Sequence, residues 1–148
     1  MKTHMVKASC ALALAAVLAA PAIAHHSFAM YDTQQTKTVT GKLTRYIPGA
    51  NHAQLLFELL DDEGKPVMQN GKPAAWGVET GSAASLARQG ITVESFPVGT
   101  IITVALNPLR DGRPFGALAG LLIHCGNTMP KGGCTKATGK AFLTGSAQ

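Results

Sequence analysis

The sequence has no P-loop, no G-x-S-x-G elbow and no H-E-x-x-H pattern. A recognisable phosphate loop, nucleophile elbow and zincin helix are thereby excluded. Charge is scarce: only 14% of residues are Asp, Glu, Lys or Arg, and no basic run is clustered. That argues against nucleic acid or an anionic membrane surface as partner. Aromatic residues make up 5% of the chain and Trp76 is the single tryptophan. With so few companions it makes no base-stacking platform, and Phe57 and Phe115 read as core. Glu58, Glu79 and Asp111 stand isolated, so no paired general acid and base is legible. Asp111-Gly112 reads as hairpin chemistry. The three cysteines include no C-x-x-C, which leaves no thioredoxin-like redox motif.

What is present begins with an export signal. Lys2 and Lys7 give a positive start, Ala8 to Ala20 is an apolar run, and Ala22-Ile23-Ala24 is an A-x-A cleavage pattern. The run is too short and too alanine-rich for a membrane span, which needs about 20 strongly apolar residues. No later stretch is long enough either, so the mature protein is expected to be soluble and periplasmic or secreted. Cys10 precedes most of the apolar run and is expected to leave with the signal. Cleavage after Ala24 removes Lys2 and Lys7, lowering the formal net charge from +5 to a mild +3. The expected organisation is a signal over 1–24, one small barrel domain over 25–124 and a tail over 125–148.

Along the mature chain the signals are those of strands. Lys37 to Ile47 is β-branched, apolar and aromatic, with Gly41 as a bulge or bend. Pro48-Gly49-Ala50-Asn51-His52 breaks it, Ala53 to Leu60 forms a second strand, and Asp61-Asp62-Glu63-Gly64 turns the chain. Lys65 to Pro73 reads as a polar connection and Ala74 to Thr80 as a third strand. Ser82 suits an N-cap, Ala83, Ala84, Leu86 and Ala87 give a short apolar face, and Gly90 closes a helix. Thr100 to Leu106 and Phe115 to His124 complete five strands, and the tail is expected to be loosely ordered apart from its cysteines. The fold class is therefore mainly β. Three strands, one short helix and two strands is the order of a small five-stranded OB-like barrel. A β-sandwich or split barrel stays open, because order alone does not fix pairing.

Two groups of residues carry chemistry. Cleavage after Ala24 makes His25 the first residue, with an amine and an imidazole that chelate together. One more imidazole closes an N₃ set that suits Cu(II), and His52, His26 and His124 are the candidates for it. Met30 adds a soft thioether for Cu(I). The plain alternative is that the terminal histidines are solvated, and that His52 bonds a carbonyl beside Asn51, which tolerates the loop's backbone. No H-x-H or helical H-x-x-x-H spacing supports a metal set. Cys125 and Cys134 are the two cysteines left after cleavage and read as a structural disulfide. A Cys-His metal site with His124, or a redox pair, is the other reading.

Several segments together resemble a bacterial exported family of unknown function. They are Ala24-His25-His26-Ser27-Phe28-Ala29-Met30-Tyr31-Asp32, Val39-Thr40-Gly41-Lys42-Leu43, Trp76-Gly77-Val78-Glu79 and Asn107-Pro108-Leu109-Arg110-Asp111-Gly112. Leu86-Ala87-Arg88-Gln89-Gly90-Ile91-Thr92 and Val98-Gly99-Thr100 belong to the same resemblance. The family carries Asn-Pro-His in the first turn, where this chain has Asn51-His52 without the proline. The tail with Cys125 and Cys134 looks like an addition to the shared core. The resemblance implies a periplasmic small β protein and no established activity. Three expectations follow: a binding protein taking copper at His25 with His52 or His26, an interaction module without metal, and a copper oxidase or oxygenase.

Overall fold

The strand-forming residues of Lys37 to Ile47 are long enough to serve two neighbours at once. In the computed structural model, which describes residues 29–143, they form β1 (Lys37–Ile47). Its first half pairs antiparallel with β6 (Ile101–Pro108), from Lys37↔Leu106 to Lys42↔Ile101. Its second half pairs with β2 (Gln54–Leu59), from Gly41↔Leu59 to Ile47↔Gln54. β2 passes the sheet to β5 (Ala75–Glu79), and β6 passes it to β7 (Phe115–His124). β5 and β7 then pair in parallel, Gly77↔Phe115 to Glu79↔Ala117, and this closes a five-stranded barrel. The expected OB-type arrangement is therefore the observed one.

Among the described residues the single helix, α1 (Ala83–Ala87), sits between the third and fourth barrel strands. Ser82 caps it, its hydroxyl accepting from the Ser85 amide at 3.1 Å. Gly90, at φ +81°, ends the segment in the left-handed conformation expected of a helix stop. Leu86, Ile91 and Phe96 point into the barrel and join Leu43, Leu55, Phe57, Val78, Ile102, Val104, Leu106, Leu118 and Leu122 in one core.

Three features differ from the sequence expectation. The β1 irregularity lies between Leu43 and Arg45 and not at Gly41. Gly41 stays in register because it serves packing: a Cβ there would stand 2.4 Å from the Phe57 ring and 2.7 Å from the Glu58 carbonyl oxygen. The connection 65–73 holds a small hairpin, β3 (Met68–Gln69) and β4 (Lys72–Pro73), turned by Asn70-Gly71 with both residues at positive φ. The tail is more ordered than expected, since β8 (Lys140–Leu143) pairs antiparallel with Leu121–His124 of β7. Between β7 and β8 the Cys125–Cys134 disulfide spans a Cα separation of 5.8 Å. Cys134 packs with Ile101 and Ile123, and its carbonyl accepts from Thr103 Oγ1 at 2.8 Å.

Candidate functional site

At one mouth of the barrel, the β1–β2 loop, the end of β5 and the residues preceding β1 converge. The loop is tied down by backbone bonds. Ala53 N donates to Gly81 O at 3.0 Å, Thr80 N to Ala53 O at 2.9 Å, and Ala83 N to Gly49 O at 2.9 Å. Fully buried Thr80 adds its hydroxyl, donating to Ala53 O at 3.0 Å. His52 therefore sits on a fixed frame.

The His52 ring lies across the end of β5. Its Nδ1 is 3.2 Å from the Thr80 carbonyl oxygen and 3.7 Å from Glu79 Oε1. Both neighbours are acceptors, so Nδ1 is the nitrogen that donates to them. The side chain is 32% exposed, and the Glu79 carboxylate beside it 17%. The expectation that His52 bonds a carbonyl is met, but the carbonyl belongs to the far end of β5.

Glu79 also takes a hydrogen bond from Tyr31, whose hydroxyl is part of the same chain of contacts. Tyr31 is only 2% exposed and packs with Leu109, Ala117 and Phe115. Burial, then the charge of Glu79 and the hydrogen bond to it, push the Tyr31 phenol up to about 12. An unfolded tyrosine ionises near 10, so the folded phenol is the more proton-retaining one. Its contribution is intact below that unfolded value and disappears as pH rises through the folded one. Stability is expected to fall by roughly 2–3 kcal/mol between those values. Urea melts of the wild type and of Tyr31→Phe should diverge across that window, with the variant losing less.

Tyr31 is held there by the β6–β7 hairpin. It forms a bridge with Leu109, and Asp32 N donates to Pro108 O at 2.8 Å. Arg110 grips the same segment three ways. Its amide donates to Met30 O at 2.9 Å, its Nε to Ala29 O at 3.2 Å, and its Nη1 lies 3.7 Å from Asp32 Oδ1. Ala29 to Asp32 is thus an anchored arm, and the Pro-Leu-Arg-Asp-Gly segment is its clamp. Asp111 has the expected turn role, its carboxylate accepting from the Arg113 amide at 3.1 Å.

The other sequence candidates fall elsewhere. His25 and His26 lie outside the described residues. His124 pairs with Ile102 at the far end of β7, where its Nδ1 accepts from the Gly126 amide and Phe96 meets its ring edge-on. Seven strand residues separate it from Ala117, the partner of Glu79, a distance on the order of 20 Å. It does not join His52. Glu58 lies opposite Ala75 and Lys42, away from Glu79. Cys125 and Cys134 are joined to each other. Among the described residues no group of three or more His, Cys, Asp or Glu could hold a metal, and no helix is long and apolar enough to cross a membrane. Sequence reading did not single out Tyr31 or Arg110, and it left Glu79 isolated. The tyrosine, the glutamate and the histidine come from three separate segments, with no spacing rule to join them.

Residues 13–118 match the profile of a family of unknown function (DUF6152). The match takes in the anchored arm, the His52 loop, Glu79 and the clamp, and it ends inside β7. The disulfide and β8 lie beyond it. No curated protein and no solved structure matches the chain.

Proposed function

The chain belongs to DUF6152, a family of unknown function, and on that premise we propose that it is an exported small-barrel protein that binds one Cu(II) ion. The ligands are the amine and imidazole of His25 at the mature amino terminus, closed by the imidazole of His52, with His26 as the alternative third nitrogen. Nitrogen donors in a tetragonal set are the preference of Cu(II).

One observation carries this reading. The arm is fixed at Tyr31 by Arg110, Leu109 and Glu79, and Glu79 is also the neighbour of His52 Nδ1. His25 stands six positions before Tyr31, a reach of roughly 20 Å at most. A tether of that length, rooted beside Glu79, supports an approach of the amino terminus to His52. Its Nδ1 proton is already engaged, which is how protein-bound metals commonly find an imidazole prepared. Copper chelated in this way would need the amine free, and export with cleavage after Ala24 supplies it.

The test is intact mass of the protein recovered from a bacterial periplasm, then copper titration of the same sample. A chain beginning at His25 that takes up one equivalent tightly, with uptake lost in His25→Ala, supports the proposal. His52→Ala is expected to weaken binding at least tenfold if it is a ligand. A chain beginning beyond His26 overturns it, as does uptake no greater than that of a histidine-free control.

A further inference from the structure

Between the arm and the β6–β7 hairpin lies a groove of about 240 Å³, lined in part by Asp32, Lys37, Trp76, Pro108, Arg110 and Arg113. Its charges are unequal, with three cations facing one carboxylate. They are also unequally engaged. Arg110 is committed to Ala29 and Asp32 of the arm. Arg113 spends its Nε on Asp111 at 2.8 Å, an exposed pair within its own turn. Such a pair is weak, and the two terminal nitrogens of the guanidinium fork remain for a planar acceptor. Lys37 Nζ stands 5.7 Å from the centre of the Trp76 ring. The groove thus pairs an aromatic and proline wall with two cations at its rim.

We infer that this groove binds a small monoanion in which a carboxylate is attached to a flat apolar group, that is, an aromatic carboxylate. The carboxylate matches the Arg113 fork and the Lys37 ammonium, and the flat group lies against Trp76 and Pro108. A second negative charge is disfavoured by Asp32 on the same wall. The volume suits a ligand the size of one substituted ring, below the usual range for drug-sized pockets. The inference uses none of the proposed copper ligands, and His52 does not line the groove.

Trp76 is the only tryptophan in the chain, so its fluorescence reports the groove directly. Benzoate titrated into the whole protein should give a saturable change at millimolar concentration or below. Benzyl alcohol, the same ring without the charge, should give none that saturates. The double variant Lys37→Gln/Arg113→Gln should weaken benzoate by about tenfold or more, with its far-ultraviolet circular dichroism unchanged. His25→Ala should bind benzoate as the wild type does. The inference is overturned by no saturable change with benzoate, by an equal response to benzyl alcohol, or by a double variant whose affinity matches the wild type.

Discussion

Phe57→Ala is expected to cost about 3–5 kcal/mol of folding stability, a large share of the roughly 5–15 kcal/mol typical of a whole domain. Phe57 is 1% exposed in the main core cluster. Its ring passes over β1 at the one position where no side chain stands in the way, Gly41. The two residues form a single packing unit. Gly41→Ala alone is expected to destabilise by roughly 1–3 kcal/mol, the range for overpacking. In the Phe57→Ala background the same change should cost less, because the ring is gone and only the Glu58 carbonyl still blocks the added methyl. Denaturant melts of the four proteins measure this coupling directly. Equal costs in both backgrounds would show that Gly41 is held by the carbonyl and not by the ring.

Removing the disulfide is the second large effect. Ten residues lie within the Cys125–Cys134 loop, both cysteines included, and the chain-entropy model gives roughly 3 kcal/mol for closing it. The loop also places Cys134 against Ile101 and Ile123, and it offers the carbonyl that satisfies buried Thr103. Cys125→Ser with Cys134→Ser should therefore lower the melting temperature by several degrees per kcal/mol lost. The wild type should fall by a similar amount in reductant, and the variant should be indifferent to it. The groove lined by Trp76 and Arg113 should survive in the variant at a temperature where it is folded. It lies at the Pro108 end of β6, whereas the loop packs on Ile101 at the opposite end of that strand. A variant as stable as the wild type would mean that β8 and the core hold the tail without the bond.

Much of this fold was legible in the residues. Strand limits followed from β-branched and apolar runs bounded by Pro-Gly and Asp-Asp-Glu-Gly segments, and the helix from Ser82 and Gly90, while β6 runs two residues beyond the expected Leu106 to Pro108. These are local signals, and local geometry answered them. The Asn70-Gly71 hairpin carried the right turn pair, but its strands are two residues each, exposed and polar, so no alternation announced them. β8 was illegible for a different reason. Lys140–Leu143 is a strand because β7 offers it an edge and Phe142 a place in the core, and neither is a property of those four residues. The candidate site was legible in parts only. His52 was visible as a histidine in a turn. Its value depends on Glu79 and Tyr31, and these meet it through the parallel β5–β7 closure and the Tyr31–Leu109 bridge. Pairings of that range leave no periodicity to read.

The clamp on the arm also sets an order of assembly. Tyr31 precedes every strand of the barrel, while Leu109 and Arg110 follow it by almost eighty positions. Contacts so distant in sequence form late, after most of the loop entropy between them has been overcome. A chain emerging amino end first therefore presents Tyr31 and Asp32 long before the residues that anchor them exist in folded form. Only when the last barrel strand closes does the anchored arm, and with it the buried contact of Tyr31 with Glu79, come into being.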